Sequence, residues 1–156
     1  MDEAQYAVEF LAAHEALAAS DYDHYEVSNA ARPGHRARHN SAYWRRAPFI
    51  GLGPSAHSGL GRVRQWNVRE WSAYERLLRG GKSPREGREL LDDRAIALEE
   101  LYLGLRTQDG VPVGRVSEAE ANQWEEQGWA VYDSDRLRLT PEGWLRLDAL
   151  VASVPV

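Results

Sequence analysis

Apolar positions recur with helical spacing at both ends of the chain and lose it in the middle. In an alanine-rich run from Asp2 to Ala19, Tyr6, Phe10, Leu11 and Leu17 supply a stripe, and high intrinsic propensity completes the case for a helix. Ser20 to His24 are turn-like, and Tyr25, Glu26 and Val27 make a short strand. From Val27 to Pro48 no period holds. Phe49 to Leu52 then predicts a short buried strand, and Val63 to Trp66 another. Asn67 and Glu70 have the spacing of a helix cap and its reciprocal partner, and Trp71, Tyr74, Leu77 and Leu78 give the following helix one apolar face. Gly80-Gly81 ends it. Gly80 to Arg88 reads as a polar loop in which Ser83, Pro84 and Glu86 cap at most one helical turn.

The second half is more regular. Asp92 to Arg106 is the clearest helix, with Ala95, Leu98, Leu101, Tyr102 and Leu105 on one side. Ser117 to Glu120 is a capping box opening a helix that closes at Gly128. Trp129 to Tyr132 and Arg136 to Leu139 alternate about Asp133-Ser134-Asp135 and predict a β-hairpin. Thr140 and Pro141 start a last helix with Trp144, Leu147, Leu150 and Val151 inward. Helices, a hairpin and a closing helix form a winged-helix-like module. With a boundary near Gly80 to Arg88, the expectation is an α+β chain with domains over residues 1–80 and 81–156.

Charge changes this picture at one place. Between Val27 and Arg69 there is no Asp or Glu, yet Arg32, Arg36, Arg38, Arg45, Arg46, Arg62, Arg64 and Arg69 fall there, in a chain of net charge −5. The same stretch holds His35, His39, His57, Tyr43, Trp44 and five glycines, a mixture suited to a planar or anionic ligand. The would-be reading helix of the second module, EAEANQWEEQ, carries four glutamates and no cation, so no nucleic-acid partner is expected. Trp124, Trp129 and Trp144 are then core residues. With no cysteine, the chain has no thiolate nucleophile, thiolate zinc site or cysteine-held iron–sulfur cluster. No apolar run nears the roughly 18 residues of a membrane span, and the acidic N-terminus is unlike a secretory signal, so a cytoplasmic protein is expected.

Two constellations carry chemistry. Gly51-Leu52-Gly53-Pro54-Ser55-Ala56 fits the dinucleotide pattern G-x-G-x-x-A, but no helix is expected after it, so a glycine-rich loop lining a site is the better reading. His57 beside it suits a backbone hydrogen bond as well as a ligand. In His39-Asn40-Ser41-Ala42-Tyr43-Trp44, an imidazole can supply an axial bond to haem iron, the Tyr and Trp faces can lie along a porphyrin, and Arg36, Arg38 and Arg45 can pair with propionates. On spacing alone an ordinary loop, its His and aromatics packed and hydrogen-bonded, is the favoured reading.

The linked motifs decide more. Tyr25-Glu26-Val27-Ser28-Asn29, Arg32-Pro33-Gly34, Arg38-His39-Asn40, Tyr43-Trp44, Gly51-Leu52-Gly53-Pro54, Ala56-His57-Ser58 and Leu103-Gly104-Leu105-Arg106 resemble, in order, the C-terminal portion of the heme chaperone HemW family. These are radical-SAM proteins long grouped with oxygen-independent coproporphyrinogen III oxidase. The resemblance implies the last βα elements of a partial (β/α) barrel, followed by a small HemN-type C-terminal domain. It implies haem binding at His39, Asn40, Tyr43 and Trp44, with His39 toward the iron, and puts Glu26, Asn29, Gly51, Gly53 and His57 around the barrel mouth or cofactor. For Glu26 and Asn29 a plain hydrogen-bonding role stands level with that one.

The family's cysteine triad, which holds a [4Fe–4S] cluster that cleaves S-adenosylmethionine, has no counterpart here. Ala30 stands where an aromatic is usual and Ala37 where a cysteine is often seen. The expectation is therefore a truncated HemW-like protein or its C-terminal segment: a haem-binding chain in porphyrin metabolism, not a catalyst alone, handing haem to an acceptor protein. The alternatives are a non-catalytic interaction domain or a fragment of an oxidase-like radical-SAM enzyme. An open barrel edge would favour homo-oligomers.

Overall fold

The structure, a computed structural model, describes residues 2–155. It is a mixed α/β fold whose chain divides into two compact units. The first takes the residues up to Arg45 and those from Leu98 onward, and the second is Arg46–Ala97. The segment from Gly80 to Arg88 lies inside the second.

In the first unit, α1 (Glu3–Ala18) leads through a tight turn, with Asp21 at φ 59°, into β1 (Asp23–Glu26). None of α1 is fully buried, but Phe10 packs against the core. Strand β2 (Asn29–Ala31) folds back antiparallel on β1. A seven-residue helix, α2 (Arg38–Trp44), follows where the sequence has no period.

The core of this unit comes from the C-terminal half. Leu101 and Leu105, on the last turns of α4 (Asp93–Leu105), meet Val111, Ala121, Trp124, Leu137, Leu139, Trp144, Leu147, Leu150 and Val151. Helix α5 (Glu118–Glu126) opens as expected: the Ser117 hydroxyl accepts from the Glu120 amide at 3.3 Å and donates to the Glu120 carboxylate at 2.6 Å. β7 (Ala130–Asp133) and β8 (Arg136–Leu139) form the expected hairpin, with Ser134 at φ 58° in its turn. The short β6 (Val111–Pro112), absent from the sequence reading, pairs with β8. The expected last helix is two, α6 (Pro141–Trp144) and α7 (Leu147–Ser153), with the Thr140 hydroxyl capping the first by accepting from the Gly143 amide at 3.1 Å.

The second unit is a three-stranded antiparallel sheet in the order β3 (His57–Leu60), β4 (Val63–Asn67), β5 (Arg85–Leu90), with α3 (Trp71–Arg79) between β4 and β5. The strand expected over Phe49 to Leu52 is reduced to one bridge between Phe49 and Gly59. The expected loop after Gly81 is largely β5, whose side chains are mostly exposed and leave no alternation to read. Asn67 does not cap α3. Glu70 occupies the cap position without a side-chain bond, and the Asn67 amide donates instead to the Gly53 carbonyl at 2.9 Å.

Candidate functional site

Strand β1 buries three polar side chains in a row, two of which bear on the ground around α2. Tyr25 is buried, and its hydroxyl accepts from the Ala37 amide at 3.1 Å, fixing the residue at which α2 begins. Glu26 is wholly buried at 0 % exposure. A buried carboxylate is costly unless its oxygens are hydrogen-bonded or paired. Here Oε2 accepts from the Ser28 amide at 3.0 Å, Oε1 accepts from the Asn29 side-chain amide, and the Arg106 guanidinium stands 3.8 Å from Oε2. Both residues expected to line a cofactor are thus engaged with each other. His24, also buried, sets its ring edge-on to Trp144, and its Nδ1 is 2.9 Å from that of His14 on α1. Burial pushes its pKa down; the Val27 carbonyl opposes this, and the neighbouring His14 adds to it.

Helix α2 carries the haem candidates. His39 is exposed, with its ring edge-on to Tyr43 one turn later, centroids 4.8 Å apart. Asn40, Tyr43 and Trp44 are half-buried. One face of the Trp44 indole is covered by the Arg106 guanidinium, whose carbon lies 4.5 Å from the ring centroid. The indole N–H is buried and has no acceptor among the described residues.

The three candidate arginines differ. Arg36 is already committed: it donates to Asp23 at 2.5 Å and 3.1 Å, pairs with Asp109 at 3.4 Å and lies over the Tyr25 ring. Partial burial opposes its charge, but Asp23 and Asp109 more than offset this and raise its pKa above the ordinary arginine value. Arg38 and Arg45, at the start and just beyond the end of α2, are exposed, and no ion pair engages either among the described residues.

The remaining candidates belong to the second unit. Gly51 lies against the backbone of His57: a Cβ there would sit 2.1 Å from the His57 carbonyl oxygen. The Gly51 amide donates to the Ser58 hydroxyl at 3.0 Å, and that of Gly53 to the Tyr74 hydroxyl at 3.0 Å. His57 is exposed at the start of β3, its ring 6.0 Å from that of Trp66. A strand, not a helix, follows the G-x-G-x-x-A segment, so it lacks the helix N-terminus that a dinucleotide pyrophosphate needs. Among the described residues no group of three or more His, Cys, Asp or Glu is arranged to hold a metal ion, and no helix is long and apolar enough to cross a membrane.

Sequence reasoning missed Arg106 as a member of this neighbourhood. It had noted Leu103 to Arg106 as a motif, but only the return of the chain beside β1 brings the guanidinium to Glu26 and Trp44. The Val27 amide donates to the Arg106 carbonyl at 3.0 Å, and the Gln108 amide to that of Tyr25 at 2.9 Å.

Comparisons with known proteins agree with this arrangement of motifs. Residues 91–146 match the HemN C-terminal domain family. The chain is 38% identical over 141 residues to "Heme chaperone HemW" of Mycobacterium tuberculosis (strain ATCC 25618 / H37Rv), covering 88% of this chain and 36% of that protein. It is 39% identical over 102 residues to "Heme chaperone HemW" of Synechocystis sp. (strain ATCC 27184 / PCC 6803 / Kazusa), covering 62% of this chain and 24% of the other. Coproporphyrinogen III oxidase (HemN) from Escherichia coli, described as a radical SAM enzyme, has the same fold over 87% of this chain and 37% of its own, with a TM-score of 0.63 at 15% identity. The chain thus spans little more than a third of the Mycobacterium relative's length. By this sustained similarity the chain resembles the C-terminal portion of the heme chaperone HemW family.

Proposed function

We propose that this chain binds haem at α2 as cargo, and that in a HemW-like protein the bound haem is passed to an acceptor. The observation that carries this reading is the exposed His39 imidazole, set edge-on to Tyr43 at 4.8 Å and flanked by the exposed Arg38 and Arg45. The donor set fits the ligand. A neutral imidazole is an axial ligand for haem iron, aromatic edges and faces suit a porphyrin, and arginine forks suit propionates. Arg36 would have to leave Asp23 and Asp109 to join, so Arg38 and Arg45 are the better propionate partners.

The relatives' names supply the second support, since two of them are called heme chaperones. We infer that cluster and S-adenosylmethionine chemistry, if the longer relatives use it, belongs to their parts outside the aligned third, because this chain has no cysteine. On this reading the chain joins the end of a partial barrel to a winged-helix-like HemN domain, and alone it catalyses nothing. Gly51, Gly53 and His57 remain candidates for the barrel mouth.

Haem titration followed at the Soret band tests the proposal. The wild-type chain is expected to shift and sharpen the band with saturation, and His39→Ala to weaken binding by tenfold or more, about 1.4 kcal/mol. No shift in wild type, or an unaltered one in His39→Ala, removes the assignment. An interaction module is the second reading, favoured by the exposed Ile50, Leu52, Trp71 and Leu90 of the second unit. Oligomers on size exclusion that ignore haem, with no spectral change, would select it.

A further inference from the structure

We propose that Arg106 is a positioning residue: anchored on the buried carboxylate of Glu26, it holds the Trp44 indole flat and so sets the face that α2 offers to a porphyrin. The proposal rests on the haem reading above and extends it to two residues that do not themselves meet the ligand.

Helix α2 cannot hold its own direction. It has seven residues, no side-chain cap bond and no fully buried residue, and a helix so short is far from stable alone. Its orientation therefore depends on what grips it. At the N-terminal end the grip is the Tyr25 hydroxyl on the Ala37 amide. At the C-terminal end it is Arg106 over Trp44.

Arginine suits that place for a physical reason. Its planar guanidinium can give an edge to an acid and a face to a ring at once, which an ammonium cannot do. Here Nη2 faces Glu26 Oε2 at 3.8 Å and donates to the Ser28 hydroxyl at 3.3 Å, while the plane covers Trp44 at 4.5 Å and lies 5.9 Å from the Tyr102 ring. Its side chain is 17% exposed, so the pair is little screened by water. Glu26 is held in turn by the Ser28 amide and the Asn29 side chain. The line of support runs from β1 through Glu26 and Arg106 to Trp44, and along one helix to His39 and Tyr43.

Two measurements on the whole 156-residue chain test this, one of them free of haem. Of the six tryptophan indole N–H resonances, that of Trp44 is identified by Trp44→Phe. In Arg106→Met and Arg106→Lys it is expected to move and exchange faster while that of Trp124 stays, the latter also reporting that the core is intact. An unmoved Trp44 resonance overturns the proposal whatever haem does.

In haem titrations Arg106→Met is expected to raise Kd about tenfold, between the scales of an exposed and a fully desolvated cation–π contact. Arg106→Lys should recover only part of this, and Arg106→Met in the Trp44→Phe background should add less than about twofold, because the arginine acts through the indole. Equal losses in both backgrounds overturn it. If the wild type itself leaves the Soret band unchanged, the haem reading falls, and the indole resonance alone decides whether the clasp exists.

Discussion

His24 ties an ionisable ring to the core at the cost of its charge. It is 7% exposed, wedged among Phe10, His14 and Trp144, and burial lowers its pKa below the ordinary histidine value of 6.5. In the unfolded chain the imidazole takes a proton near that ordinary value, and in the folded chain only at lower pH. Stability from His24 is therefore fully present above about pH 6.5 and declines as pH falls toward the folded value. Thermal melts at pH 7.5 and 5.5 should differ more for the wild type than for His24→Phe; equal differences would refute the role. Arg36 shows the opposite economy at the surface. It is 41% exposed, so Arg36→Ala should lower stability by no more than about 1 kcal/mol in urea unfolding, despite two acidic partners. Neither partnership was legible in the sequence, because Asp23 and Asp109 lie outside the acid-free stretch and only the fold brings them to Arg36. Asn67 misled for a related reason: its amide found two loop carbonyls in space before it could serve the helix beside it in sequence.

Elements with strong local signals were legible to within a residue or two. The capping serine, the Asp-Ser-Asp turn and the alternating strands around it all reappear as α5, β7 and β8. Ser117→Ala should cost about 1 kcal/mol by thermal melting, and Ser117→Asp should retain most of that. Elements without local signals were not legible. Helix α2 has alanine at its cap and arginine at its first position, and β5 offers only one half-buried glycine among exposed side chains. Both depend on partners distant in sequence. The split between α6 and α7 was likewise invisible, although its residues were placed inward correctly. Gly143 lets the first of these helices press against the chain before the hairpin: a Cβ there would stand 1.9 Å from the Trp129 carbonyl oxygen. Gly143→Ala should destabilise by about 3 kcal/mol through backbone displacement in a packed core, read from denaturant midpoints. A loss under about 0.5 kcal/mol would mean the hairpin yields easily.

At the scale of the molecule the two units are unequal. From Leu101 to Val154 the first holds a continuous apolar core, whereas among the described residues of Arg46–Ala97 only Ser58 and Leu91 are buried. Few buried contacts mean low-energy local opening. Amides of β3, β4 and β5 should exchange with deuterium well before those of β8 and α7; equal protection would contradict this. The mixed α/β class was legible from the order of periodic segments, but the discontinuous composition of the first unit was not, since no local pattern announces that β1 will lie beside the residues that follow α4.

That discontinuity has a consequence in time. Ser28 and Arg106 are 78 positions apart along the chain, and synthesis at roughly 5–20 residues per second leaves about 4–16 seconds between their appearance at the ribosome. During that interval the nascent chain carries Glu26 without its counter-charge and Trp44 without its cover. The α2 segment is thus made early and finished late, and a nascent polypeptide halted before Arg106 would carry the proposed binding residues before the guanidinium that lies over Trp44 exists.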